Sequence, residues 1–326
     1  HQGFPNPVPL ASFRGTMGAP TRKVSAVTKI LLVHGRSRPI FGPLEMKQQW
    51  LVALRSGFEA ADLPADFDDD DVLLPWYGDT LSHLVGGAAR SEAERVSLRG
   101  DLPVDERAFV LEVVSSVAKA YGFTAQQLEA VATPLDQGAS APSWGWVRTV
   151  LAAVDAYVPG MTGATIAFVA RECFGYLTDA RLRQMIDDGV AGVGSSGEPT
   201  IVIGHSLGAV IAYHVLRAHP TAQEWNVPLL VTVGAPLAWG PVITALGRLE
   251  TRAMPKPVLN WVNARDPLDG VAIGGKLVGS LLPVGAGLPD VAEETGIVNP
   301  IDGRHAIEYY LADPLIAERL AAVLAR

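Results

Sequence analysis

The segment 200–218 has the residues and the spacing of a serine nucleophile. Four β-branched residues run into Gly204-His205-Ser206-Leu207-Gly208, and a helical apolar pattern follows at once. In a sharp strand-to-helix turn the central serine is strained, and a glycine two residues before and after it removes a Cβ clash. Ser206 is therefore predicted to present its hydroxyl at the tip of the turn for attack on a carbonyl carbon. The alternative is a tight turn with a helix-capping serine.

A serine hydroxyl needs a base, and the base needs an acid that fixes its tautomer. Three histidines follow Ser206. His214 and His219 fall in the helix directly after the turn and are predicted to be packing or surface residues. His305 follows the turn-rich segment 299–304 and precedes a helix, so it is predicted to be the base. The alternative is a histidine at a helix start with no catalytic role.

The acid has two candidates on one loop. Asp266 and Asp269 both follow a strand predicted to end at Asn263. Only one of the two carboxylates can hold the imidazole. The other is predicted to bind the loop backbone, which is a common use of aspartate beside proline and glycine.

An attacked carbonyl also needs hydrogen-bond donors for its developing oxyanion, each worth about 3 kcal/mol of barrier. The predicted donors are the backbone amides of Leu207, just past the nucleophile, and Arg36, in the loop after the first strand. Gly35 in the same loop, with Trp76 and Tyr77 at the end of the second strand, is predicted to line the substrate pocket. Core packing is an equal alternative for the two aromatic residues.

These side chains require a sheet to position them. Short continuous apolar runs predict strands at 29–33, 72–77, 200–203, 229–233 and 258–263. Runs of this kind are typical of parallel strands that are covered on both faces. Strands that alternate with helices indicate the α/β class, with a mostly parallel sheet flanked by helices.

One stretch departs from this alternation. Residues 81–161 carry helical spacing broken by proline and glycine, and are predicted to be an inserted helical cap. A packed helical subdomain without a gating role is the alternative. The α/β core is then 25–80 with 162–326, including one helix over 166–188 and a long loop at 270–290. Residues 1–24 are predicted to be a flexible tail or a non-native expression remnant, with Met17 as a candidate start.

Composition limits the partners. The chain has 326 residues, 48% of them hydrophobic, with a net charge of −8 and a pI near 5.4. An acidic chain with no basic stripe argues against nucleic acid and against an anionic membrane surface. Its single cysteine, Cys173, excludes an internal disulfide and favours a cytoplasmic location. No apolar stretch is long enough for stable membrane insertion, and no motif indicates a metal or a cofactor. The oligomeric state stays open.

The segments LLVHGR, GHSLG, a DxVA-like loop and a late histidine followed by tyrosines resemble the α/β-hydrolase superfamily, in its bacterial serine esterase and lipase-like branch. The acid loop resembles the N-x-x-H-P-x-D-P-V-A pattern of DDHD-type phospholipases through Asn263, Pro267 and Asp269, which favours Asp269 as the acid. It departs from that pattern at Asp266 and Gly270. HAIEYYL is similar to the His-x-x-x-Tyr ends of these hydrolases.

The resemblance implies hydrolysis of a small-molecule ester or acyl substrate through a covalent acyl-enzyme, without cofactor or metal. The same serine, histidine and aspartate also fit an acyltransferase or a thioesterase. A non-catalytic binding protein on this fold is a third interpretation, which the joint presence of serine, histidine and two candidate acids weakens.

Overall fold

The computed structural model describes residues 27–35, 42–78, 80, 102–194, 197–284 and 291–325. These residues form a six-stranded, all-parallel sheet in the order β2-β1-β3-β4-β5-β6. The strands are β1 (Lys29–Val33), β2 (Val72–Leu73), β3 (Thr200–His205), β4 (Leu230–Val233), β5 (Trp261–Ala264) and β6 (Val291–Glu294). The α/β class predicted from the alternation of apolar runs is therefore confirmed.

Helices cover both faces of the sheet. They are α1 (Pro43–Ala60), α2 (Val104–Tyr121), α3 (Ala125–Val131), α4 (Trp144–Tyr157), α5 (Gly163–Thr178), α6 (Ala180–Ala191), α7 (Leu207–Ala218), α8 (Gly240–Leu249), α9 (Ile307–Leu311) and α10 (Pro314–Leu324). No helix in the described ranges is both long enough and apolar enough to cross a bilayer.

Successive residues of the central strands enter different cores, because side chains alternate across a strand. In β1, Ile30 and Leu32 pack with α1 and the two C-terminal helices, whereas Leu31 and Val33 pack with α2, α4, α5 and α7. All four side chains are fully buried. Burial on both faces explains why the strand reads as a continuous apolar run rather than as an alternating one.

The strand order reverses between β1 and β3. The chain runs from β1 outward to β2 and then returns to pair β3 on the other side of β1. Crevices that bind ligands form at the carboxyl ends of the strands at such a reversal. Gly35 follows β1 and Ser206 follows β3, so the topology brings these two predicted site residues to the same crevice.

Within the described residues of the predicted cap, α2, α3 and α4 are helical as expected, while 81–101 lie outside the described residues. The buried side chains of α2, α4 and α5 belong to one apolar core that continues onto β1, β3 and α7, and the partly buried Leu128 of α3 packs against it. Cys173 of α5 is fully buried there. The helices are thus packed on a face of the sheet.

Several elements differ from expectation. The strand predicted at 258–263 begins only at Trp261. The second strand stops at Leu73, and Leu74 to Tyr77 continue without strand pairing. The single helix expected over 166–188 is two helices, because the Asp179 side chain accepts from the amides of Arg181 and Leu182 and starts a new helix. The strand β6 was not predicted at all.

Candidate active site

The backbone at Ser206 is strained in the way the turn requires. Ser206 has φ 54° and ψ −129°, and it is one of two non-glycine residues with positive φ among those described. A Cβ at residue 204 would lie 2.7 Å from Cα of Ala209, and one at residue 208 would collide with the carbonyl oxygen of Val33. Both glycines are therefore required where β3 turns into α7. Strain of this kind costs about 1–3 kcal/mol and is concentrated at functional sites.

The structure brings Ser206, His305 and Asp269 together. Nε2 of His305 lies 3.1 Å from Oγ of Ser206, and Nδ1 of the same ring lies 2.8 Å from Oδ2 of Asp269. The Asp269 side chain is fully buried, and that of His305 is 16% exposed. A buried carboxylate beside Nδ1 holds the proton there, because the carboxylate accepts only. The bare Nε2 can then accept the serine proton.

Two further hydrogen bonds hold Asp269 in place. Its Oδ1 accepts from the amide of Val271 at 3.0 Å, and its Oδ2 also accepts from the hydroxyl of Tyr310 at 2.8 Å. Burial, reinforced by the charge of Asp269, raises the pKa of Tyr310 well above its usual range, so this hydroxyl remains a donor. The carboxylate is thus fixed from its own loop and from α9.

The other candidate acid, Asp266, has a different set of partners. Its Oδ2 accepts from Nη1 of Arg304 at 2.7 Å and from the amide of Asn299 at 2.8 Å, and its Oδ1 accepts from the amide of Leu268 at 2.7 Å. Asp266 and Arg304 are both buried. Asp266 therefore joins the acid loop to the segment that carries His305, and the structure assigns the contact with the imidazole to Asp269.

Of the two predicted oxyanion donors, the structure describes one. Leu207 is the first residue of α7, a position whose amide has no acceptor within its helix. Gly35 lies directly against it, since a Cβ at residue 35 would stand 3.2 Å from Cβ of Ser206 and 3.4 Å from the Leu207 nitrogen. Arg36 lies outside the described residues.

The predicted pocket aromatics support the loop after β1. The Tyr77 ring stacks on His34 with centroids 4.1 Å apart, and its hydroxyl donates to the His34 carbonyl at 2.6 Å. Tyr77 is 4% exposed, so the structure gives it the packing role rather than the pocket role. The Trp76 ring is tilted by 33° to the His34 ring, with centroids 5.5 Å apart.

His34 makes stability depend on pH. Its Nδ1 lies 2.6 Å from the Gly35 carbonyl oxygen and its Nε2 lies 3.1 Å from that of Pro75. Two carbonyl acceptors favour the imidazolium, but burial outweighs them and lowers the pKa of His34 to about 4. The unfolded chain, in which the pKa is near 6.5, therefore binds the proton first as the pH falls.

We expect stability linked to His34 to be complete above pH 6.5 and to be lost as the pH falls from 6.5 to 4. The depressed pKa corresponds to about 3 kcal/mol over this window. Urea unfolding of the wild type and of His34→Gln at pH 7 and pH 4 measures it. The wild type should lose about 3 kcal/mol more than the variant, and an equal loss in both would contradict the assignment.

Residues of the helical segment 102–161 form hydrogen bonds with the loops that carry Asp269 and His305. The Tyr121 hydroxyl donates to the Leu268 carbonyl at 3.1 Å, and Nε of Arg304 donates to the Pro159 carbonyl at 2.9 Å. A Cβ at residue 270 would lie 2.8 Å from the Tyr121 oxygen and 2.9 Å from Cδ1 of Ile166. The end of α2 and the start of α5 thus form one wall beside Asp269.

Three residues at the site were not predicted: Tyr310, Arg304 and His205. The His-x-x-x-Tyr spacing in HAIEYYL falls on Tyr309, which is 37% exposed and packs on Gly303, whereas Tyr310 is fully buried. Arg304 directly precedes the predicted base, but its pairing with Asp266 depends on the fold and has no signal in the local sequence. His205 stands inside the GHSLG motif, where its ring lies 4.8 Å from that of His305.

The remaining histidines of the described chain lie elsewhere. His214 is buried between Asp187 and Glu250, and His219 faces Asp188, as expected for packing and surface positions. Among the described residues, no group of three or more histidine, cysteine or acidic side chains could hold a metal ion.

Comparisons of this chain with protein-family models, with curated proteins and with solved structures found no match.

Proposed function

We propose that this chain is a serine hydrolase of the α/β-hydrolase type that cleaves carboxylic esters. The observation that carries the proposal is the unbroken contact from Oγ of Ser206 to Nε2 of His305, and from Nδ1 of His305 to Oδ2 of Asp269. A helix-capping serine needs no imidazole, and an imidazole that merely packs needs no buried carboxylate. The three groups together are what nucleophilic attack by a serine requires.

In the first half of the reaction, Oγ of Ser206 attacks the ester carbonyl while its proton passes to Nε2 of His305. Asp269 stabilises the imidazolium that forms. The carbonyl oxygen becomes an oxyanion, and the amide of Leu207 donates to it. When the tetrahedral intermediate collapses, the carbon–oxygen bond to the alcohol breaks, and His305 returns the proton to the leaving alkoxide.

In the second half, a water molecule attacks the acyl-serine. His305 accepts a proton from the water, and the hydroxide adds to the acyl carbon to form a second tetrahedral intermediate. Its collapse breaks the bond to Oγ, which takes the proton back from His305. The products are a carboxylic acid and the regenerated Ser206, so atoms and protons balance with water as the only co-reactant.

The fold supports the same assignment. A strained serine between a parallel strand and a helix is the nucleophile elbow of α/β hydrolases, and their chain order is serine, then acid, then histidine. Here the order is Ser206, Asp269, His305. The elbow follows β3, at the reversal of the strand order, and in open parallel sheets ligands bind in the crevice at such a reversal.

The helical segment beside the acid loop favours an apolar acyl group. Met161, just before α5, and Ile166, in its first turn, are buried and pack beside Gly270 of that loop. Side chains of this kind have no hydrogen bond to offer a polar acyl chain, so they bind by burial of apolar surface.

We expect the protein to hydrolyse p-nitrophenyl esters, with kcat/KM rising as the acyl chain is lengthened from two to eight carbons. Release of p-nitrophenolate under initial-rate conditions measures this, and chemical hydrolysis in buffer is the blank. Rates equal to the blank for every chain length would overturn the proposed function. A preference for acetyl over every longer chain would overturn only the apolar acyl group.

A further inference from the structure

We infer that His205 is a positioning residue for the base, and that it holds His305 in place through a hydrogen bond from its Nε2–H to the His305 carbonyl oxygen. This inference rests on the proposed function, because it assigns a task to a residue that acts through His305. His205 touches neither a substrate nor the reacting oxygen in the scheme above. Nothing in that scheme uses it.

The geometry that supports the inference is a contact between strand β3 and the segment before α9. Nε2 of His205 lies 3.0 Å from the carbonyl oxygen of His305, one hundred residues further along the chain. The two rings are 4.8 Å apart and tilted by 36°. The His205 side chain therefore contacts His305 twice, through a hydrogen bond to its backbone carbonyl and through a ring–ring contact.

The acceptor fixes the tautomer of His205. A carbonyl oxygen only accepts hydrogen bonds, so Nε2 carries the proton, and in a neutral ring Nδ1 is bare. Burial, with a further contribution from His305, lowers the pKa of His205 well below its usual value. The titratable groups that face the ring are His305, Tyr310 with its ring 6.2 Å away, and Asp269 across Gly234. The ring is thus neutral at neutral pH.

Neutrality matters because His305 becomes positively charged during each half of the reaction. A charged neighbour 4.8 Å away would disfavour that imidazolium, whereas a neutral ring adds no repulsion. Lysine or arginine could also donate a hydrogen bond at this position, but each would carry a positive charge. His205 donates the hydrogen bond as a neutral ring.

Because His205 directly precedes Ser206, its contact with His305 also positions the base relative to the nucleophile. His205 and Ser206 are consecutive residues, so the nucleophile and the group that holds the base are on the same strand end. One covalent link and one hydrogen bond therefore relate Ser206 to the backbone of His305, although the base comes from the loop that follows β6. A misplacement of about 1 Å between reacting groups can cost about 100-fold in rate.

Two variants test the inference, because glutamine and asparagine carry the same amide group on side chains of different length. In His205→Gln the side-chain nitrogen extends to where Nε2 stands, whereas in His205→Asn it extends only to Nδ1. We expect His205→Asn to lower kcat about 30-fold with KM changed less than three-fold. His205→Gln should retain kcat within about three-fold. Rates are expressed per active site titrated with a fluorophosphonate, so that unfolded protein is not counted.

A residue that only filled space would give a different result. The two amides would then lose activity equally, or the shorter side chain would change stability and KM rather than kcat. Equal kcat in the wild type, His205→Gln and His205→Asn would overturn the inference. A wild type that neither hydrolyses esters nor reacts with the fluorophosphonate would overturn the proposed function instead.

A measurement on the wild type tests the contact without any catalysis. Long-range correlation of ring protons with ring nitrogens by NMR should show His205 as the neutral Nε2–H tautomer at pH 7 and still neutral at pH 5.5. The signal is assigned by its disappearance in His205→Gln. A proton on Nδ1 at pH 7, or titration near pH 6.5, would overturn the inference even if the enzyme is active.

Discussion

Replacement of Ser206 by alanine is expected to lower kcat/KM for p-nitrophenyl esters by about 10⁵-fold or more and to abolish fluorophosphonate labelling. The reason is that the variant lacks the atom that forms the acyl-enzyme, while His305 and Asp269 remain. Removal of the nucleophile of such a unit costs about as much as removal of the whole unit. Initial rates, together with the mass of the labelled protein, measure both effects.

The strained backbone at residue 206 supplies the control for this experiment. Its φ of 54° and ψ of −129° are accessible to glycine but costly for alanine. The free energy of unfolding in urea should therefore be higher for Ser206→Gly than for Ser206→Ala, by about 1 kcal/mol or more. Neither variant is expected to be active. If the alanine variant were the more stable of the two, the strain would not exist as described.

Full labelling and activity in Ser206→Ala would mean that another nucleophile does the work, and the proposed function would fail with it. Loss of activity with labelling retained is equally informative. It would mean that the probe reacts with a second nucleophile, while ester hydrolysis still depends on Ser206.

The central part of the fold was predictable because its signals are local. The strand before Ser206, the turn and α7 follow from β-branched residues, paired glycines and helical spacing within twenty residues. The ring of His305 lies against Ser206 and Asp269, as its predicted role requires, and its role as the base stays a prediction. A turn-rich segment before a helix is a place where a loop can carry an imidazole to a sheet edge.

Features that depend on distant partners were not predictable. The strand β6, Val291–Glu294, reads as VAEE, and its edge position beside β5 allows acidic residues that no buried strand would carry. The residues of the loop alone do not separate Asp266 from Asp269, because the partner that distinguishes them is Arg304, 38 positions after Asp266; only the resemblance favoured Asp269. Tyr310 differs from Tyr309 only in which side of a short helix faces the core.

Asp269→Asn is expected to lower kcat about 10⁴-fold while the protein remains folded. The amide can still accept from Tyr310, but it no longer stabilises the imidazolium, and it can hold His305 in the wrong tautomer. Stability should change little, because the replacement keeps the size of the side chain and its acceptor for the Val271 amide. Active-site titration followed by single-turnover rates measures the effect.

Asp266→Asn is the matched control, and its expected effect is on stability rather than chemistry. The carboxylate is buried with Arg304 at 2.7 Å, and loss of its charge leaves a guanidinium uncompensated in the interior. Breaking a buried ion pair in this way costs about 3 kcal/mol. The free energy of unfolding in urea should fall by that amount, while kcat per titrated site should stay within about ten-fold of the wild type.

The two aspartates of this loop are thus expected to differ in effect: Asp269→Asn lowers kcat, and Asp266→Asn lowers the free energy of unfolding. If Asp266→Asn lost 10⁴-fold in kcat per titrated site and Asp269→Asn did not, the acid would be Asp266, and the contact between Asp269 and His305 would be incidental. If both lost activity equally with unchanged stability, neither carboxylate would act alone. The contrast between them rests on which one binds Nδ1 of His305, a distance of 2.8 Å for Asp269.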